Sequence, residues 1–225
     1  MKEWQRVILF LVVFSLSLVG LKYWRQHSPQ ASAAQIRNQK DSLANLQDTL
    51  ENADWAIRGD DTTALLLSLS NTILTRLEEN GFEGLANYID SSQSLWVSPY
   101  AYLSDDTKKL KPSQLPSLND TTKQYWGLFD GSGDSIMLDP SKYLNRFVLD
   151  RPFKDSSEIT VNHLGGRGNS IDNHHKFFPQ SHNVTYFVNG SERYGEMDWK
   201  QLKLVYEASD GRMYLRALIH DEWTI

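Results

Sequence analysis

The apolar positions of this chain change period twice along its length. From residue 7 to residue 21 they run without a charge, VILFLVVFSLSLVGL, behind Lys2 and Arg6 and ahead of Tyr23 and Trp24. Basic residues before such a run and aromatic residues after it mark a segment inserted into a membrane from the positive side. Counted from Val7 to Trp24, it reaches roughly the 17 residues that a helix needs to cross a bilayer. The pattern predicts a signal anchor over residues 1–26, with the remainder outside the cytoplasm. Cleavage near Ala33, in the triplet Ala31-Ser32-Ala33, would release a secreted protein instead.

The second pattern is heptad-like. Ile36, Leu43, Leu50 and Ile57 recur every seven residues, with Leu46 and Ala53 three positions after two of them. Within a linker region over residues 27–59, this predicts a helix with one apolar seam. The seam either pairs two copies of the chain as a short coiled coil or lies on the chain's own domain.

From residue 60 onward the pattern is that of a folded α+β domain. Leu66, Leu69, Ile73 and Leu77 share one stripe and predict a helix over residues 62–80, stopped by Gly81. A short helix over 82–89 and a strand over 95–97, broken at Pro99, follow. Residues 104–123 are polar, contain Pro112 and Pro116, and predict a long loop with at most one helical turn. A strand over 125–129 runs into the turn Asp130-Gly131-Ser132-Gly133, and Pro140 opens a helix over 141–148 with Tyr143, Leu144, Phe147 and Val148 inward. Strands are expected over 159–163, 176–178, 184–188, 202–207 and 213–219, the last two joined by an Asp210-Gly211 hairpin. Helices first and an antiparallel meander last predict helices packed on a curved antiparallel sheet.

Several chemistries are excluded. The chain has no cysteine, which removes disulfides, thiolate metal sites and thiol nucleophiles. A net charge of −5 and an isoelectric point near 5.7 supply no basic footprint for nucleic acid. Gly165-Gly166-Arg167-Gly168-Asn169 lacks the Lys-Ser/Thr of a phosphate loop. Asp130, Ser132 and Asp134 begin a calcium-loop spacing, but Ser135 stands where that loop needs glycine. His163, His174, His175 and His182 are close in sequence without the i, i+4 helical spacing of a zinc protease. Neither a metal nor another cofactor is therefore expected.

Two sets of residues remain as candidates. His220, Asp221 and Glu222 precede the end Trp223-Thr224-Ile225, and a strand there points His220 and Glu222 to one face and Asp221 to the other. A base at His220 consequently needs a distant acid, and Asp130 is the candidate, for isomerase- or hydratase-like proton transfer. Trp126, Tyr143, Trp199, His220 and Trp223 form a candidate ligand-binding set, although core packing is the competing fate of each aromatic side chain.

The residues also carry a resemblance. Trp126-Gly127, Asp130-Gly131-Ser132-Gly133, Phe147-Val148 with Asp150 and Phe153, Gly168-Asn169 with Asn173, residues 195–199 and the ending at 220–225 resemble an uncharacterised family of exported bacterial domains. The likeness spans about residues 81–225. It implies a secreted or anchored protein without an assigned activity, in a fold similar to the cone of nuclear transport factor two. Under that resemblance Trp223 would fill the space between sheet and helices. The expected function is a non-enzymatic module of the cell envelope that binds a ligand or a partner protein. The sequence departs from the family in lacking a lipoprotein cysteine and in carrying His174 and His175.

Overall fold

The computed structural model describes residues 62–156 and 158–224. The expected anchor at Val7 to Trp24, the linker and the seam from Ile36 to Ile57 lie outside the described residues. Among the described residues, no helix is long and apolar enough to cross a membrane.

Helix α1 (Thr62–Asn80) buries Leu66, Leu69, Ile73, Leu74 and Leu77, the expected stripe widened by one position. Gly81 ends it at φ +64, where a Cβ would also strike the Leu118 side chain at 2.7–2.8 Å, so both conformation and space require glycine. A 3-10 helix (Gly81–Tyr88) continues the chain. Strands β1 (Leu95–Ser98) and β2 (Lys108–Leu110) pair antiparallel, and the second falls inside the stretch expected to be loop. Strands β3 (Gln124–Leu128) and β4 (Ser135–Leu138) form a separate two-stranded hairpin. Helix α2 (Pro140–Phe147) starts as expected: Asp139 caps it by accepting from the Lys142 N–H at 2.9 Å, and Pro140 takes the first turn.

The remaining elements are β5 (Glu158–Val161), the one-turn helix α3 (His174–Phe177), β6 (His182–Val188), β7 (Lys200–Ser209) and β8 (Arg212–Glu222). A strand over 176–178 is thus corrected to a helical turn. There His174, Phe177 and Phe178 are presented to the sheet from a tight turn, with the Phe178 N–H bonded to the His174 carbonyl at 2.9 Å.

The main sheet has the order β2-β1-β8-β7-β6-β5, and every pair is antiparallel except β1 with β8. The expectation of an antiparallel sheet is therefore corrected to a mixed one. β8 carries a bulge at Arg216, opposite Val205 and Tyr206, and joins β7 through Asp210 and Gly211, both at positive φ as a two-residue hairpin requires.

The two faces of this sheet bury different things. On one face Val184, Tyr186, Leu202, Leu204, Tyr206 and Leu218 meet α1, α2 and the β3-β4 hairpin. The Tyr206 hydroxyl and Ser70 Oγ share a hydrogen bond of 2.7 Å in that layer. On the other face Val205, Ala217 and Ile219 pack beneath Leu103, Trp96, Phe177 and Phe178. Alternation along β7 and β8 assigns each residue to its layer.

Candidate functional site

At the end of β8 the alternation divides three consecutive polar residues. His220 and Glu222 enter the layer of α2, while Asp221 enters the opposite one, as a strand requires.

His220 is fully buried. Its Nδ1 lies 2.9 Å from the Pro99 carbonyl oxygen, which can only accept, so Nδ1 carries a proton and donates. Its Nε2 then faces Asp150 Oδ2 at 3.3 Å, within ion-pair reach but outside hydrogen-bond geometry. The edge of the His220 ring meets Phe147 at 5.6 Å. Lys200 lies 3.5 Å from the same Asp150 oxygen and pairs with Glu222, which Arg146 also holds through two hydrogen bonds of 2.7 and 3.1 Å. Burial pushes the Asp150 carboxyl up, but His220 and Lys200 outweigh it and hold the group below the usual range. Asp150, His220 and Glu222 place one donor atom each within 4.8 Å of one another, yet the Lys200 ammonium and the Arg146 guanidinium already supply the cations there. The arrangement is a charge network, buried at His220 and open to solvent at Arg146, that ties β8 to the end of β1 and to the end of α2.

On the other face, Asp221 forms the floor of a cleft of about 300 Å³, with Tyr100, Tyr102, Asp130, Asn169 and Ser170 around it. Asp221 is 2% exposed. Its Oδ1 accepts from Ser170 Oγ and from the Glu222 N–H, both at 3.1 Å, while Oδ2 has no hydrogen-bond partner among the described residues. Burial pushes its pKa up to about 7; the Ser170 bond and the nearby Ala101 N–H offset only part of that cost, and the Asp172 charge adds to it. Asp172 is already committed: it accepts from His174 Nδ1 at 2.5 Å and pairs with Lys203, which is 1% exposed on its side chain. Burial pushes Asp172 up, but these two partners prevail and bring it down to about 2.

A second cleft of about 220 Å³ adjoins the first, sharing Tyr100 and Tyr102 and bounded by Pro99, Tyr125, Trp126 and Leu128. Exposed apolar side chains stand on it beside Ser104, Asp106 and Thr107: Tyr102, Tyr125 and Leu128 present 60%, 43% and 50% of their surfaces, and Ile171 beside the first cleft 67%.

The residues singled out from sequence are dispersed by this geometry. Trp126 and Tyr143 stack at 4.0 Å with Phe82 beside them, deep in the core, and only Trp126 reaches the second cleft. Trp199 is buried against Phe187 on the Asp221 face. The acid beside His220 is Asp150 rather than Asp130, which sits at the tip of the β3-β4 hairpin and lines the cleft of Asp221. Trp223 is 41% exposed and does not fill the space between sheet and helices, because β8 ends at Glu222 and the chain leaves the core there. Asp221 was a candidate only alongside His220 and Glu222, and its grouping with Asn169, Ser170, Tyr100 and Tyr102 was not expected; the strand alternation that isolates Asp221 on its own face was the one available signal.

No protein-family model matches the chain, and no curated protein is similar to it. A crystal structure of a DUF4783 family protein from Bacteroides ovatus aligns with 64% of this chain and 86% of that one, at 10% identity and a TM-score of 0.23. This is a weak link to an uncharacterised family, and a likeness so low carries no argument.

Proposed function

We propose that the chain is a membrane-anchored, extracytoplasmic module of the bacterial cell envelope that binds a ligand or partner without transforming it, at the two clefts that meet at Tyr100 and Tyr102. The anchor is the apolar run from Val7 to Trp24, and the heptads from Ile36 to Ile57 pair two copies. The domain is read as a relative of the nuclear-transport-factor-two cone. Support for that reading comes from α1 lying across the sheet and from the bulge that bends the long β8.

One observation carries the functional reading. The His–Asp pair that could move protons is sealed beneath α2, whereas the accessible clefts are rimmed by exposed aromatic and aliphatic side chains. Exposed apolar surface beside converging polar groups is the usual composition of a recognition site. Native mass spectrometry of the full chain, released from detergent micelles, reports cargo and oligomer together. Cargo that accompanies the parent and is lost from Tyr102→Ala supports the reading. Cargo that stays with that variant, or a turnover abolished by His220→Gln in a folded protein, overturns it.

A further inference from the structure

Resting on that reading, the geometry points to a cationic ligand: we infer that the cleft over Asp221 receives an alkylammonium or guanidinium head group, held between Asp221 and Asp130 beside Tyr100 and Tyr102.

The argument is one of charge matching across the sheet. On the His220 face, two carboxylates (Asp150 and Glu222) meet two permanent cations (Lys200 and Arg146). Around the Asp221 cleft, the charged groups that line it among the described residues are both carboxyls, Asp221 and Asp130. The nearest buried cation, Lys203, is paired with Asp172, and that carboxylate also takes His174. Asp221 is thus a buried acid whose Oδ2 has no hydrogen-bond partner among the described residues, and it lines an open cleft. Such a group is costly until a donor or a positive charge arrives. A volume of about 300 Å³ admits a head group with a few carbons, and not a folded partner. Tyr100 and Tyr102 line the same cleft, and aromatic rings beside a positive charge favour an organic cation over a hydrated metal ion.

Ionisation of Asp221 couples to this binding. The groups around it are Ser170 and Asp172 from the loop after β5, the Ala101 N–H, Tyr100 and Tyr102 after β1, Lys203 on β7 with Gln201, the cross-strand partner of Asp221, the Glu222 N–H, and Asp130 from the β3-β4 turn. With a pKa of about 7, roughly one tenth of Asp221 is charged at pH 6 and roughly nine tenths at pH 8, while an alkylamine stays protonated throughout. Apparent affinity for a cation is therefore about tenfold higher at pH 8 than at pH 6.

The test is titration of the full chain in lipid nanodiscs with n-butylammonium, n-butylguanidinium, neutral n-butanol and doubly blocked lysine, followed by calorimetry and by NMR of the tyrosine rings. The inference expects both cations to bind, butanol to fail at the same concentration, and the tenfold pH effect to vanish in Asp221→Asn along with most of the affinity. Asp130→Asn, on an exposed turn where folding is not at stake, lowers affinity several-fold and leaves the pH effect in place. Blocked lysine binding at least tenfold more tightly than butylammonium assigns the cation to a peptide, and equal binding assigns it to free amines. Butanol competing as well as the cations, or Asp221→Asn binding butylammonium as the parent does, overturns the inference. If co-purified cargo is still lost from Tyr102→Ala while no cation binds, the cationic class fails and the binding reading stands; if that cargo also survives the variant, both fall.

Discussion

The two sides of the β8 end are built from adjacent residues and behave oppositely. His220 bonds the Pro99 carbonyl and faces Asp150 beside Phe147, and Glu222 takes both Arg146 and Lys200, so these groups join β8 to the end of β1 and to α2. Asp221, one residue away, keeps a free oxygen beneath an open cleft. The lesson is that chemical type does not distinguish a structural group from a recognition group here. What distinguishes them is whether the layer that each one enters supplies its counter-charge.

The comparison can be sharpened by removing the pairing that keeps Lys203 away from Asp221. Asp172→Asn strands a buried ammonium and is expected to cost about 3–5 kcal/mol in urea unfolding. The freed Lys203 should also draw the ionisation of Asp221 to lower pH, measurable by carboxyl NMR. Unchanged stability would mean that Lys203 is solvated and the charge matching is misread.

Next in size is Asp221 itself. An unfolded Asp ionises near pH 4, whereas folded Asp221 keeps its proton until about pH 7, so the folded state holds the extra proton between those values and loses stability as pH rises through them. Asp221→Asn removes that loss. The variant is expected to be more stable than the parent by about 2–4 kcal/mol at pH 8 and equal to it at pH 3. Equal stabilities at both pH values would show that Asp221 is solvated, and the contrast between the two faces would disappear.

His220→Ala breaks the bond to Pro99 and leaves Asp150 without its ring partner, at an expected cost of about 1–3 kcal/mol, with ligand binding intact. Loss of binding at unchanged stability would reverse the roles of the two faces. The smallest effect belongs to Tyr102→Ala: stability within about 0.5 kcal/mol, since the side chain is mostly exposed, and a clear loss of cleft occupancy.

The elements that depend on local pattern were legible in the sequence. The stripe Leu66, Leu69, Ile73 and Leu77 read as the helix it is, Asp210-Gly211 as a hairpin, and the split of His220 and Glu222 from Asp221 as strand alternation. What was missed is non-local. Nothing near Leu95 announces a parallel partner at Ala217 to Ile219, and nothing near Asp221 announces that Ser170 and Tyr100 will gather over it. The segment around Lys176 has strand-like aromatic content, and only its docking on Trp96 makes a helical turn the better way to present Phe177 and Phe178. Trp223 misled for the complementary reason: its size suggested core, whereas the sheet ends before it.

The parallel contact between β1 and β8 also orders events during synthesis. Trp96, Val97 and Ser98 find their partners only when residues 217–219 have emerged, so β1 waits with an open edge while most of the domain is translated. Because β8 sits between β1 and β7, the β1-β2 pair can join the rest of the sheet only through it, and the carboxyl of Asp221 acquires its surroundings in that same closing step. A nascent chain is therefore expected to remain a ready client for a chaperone until its last strand arrives.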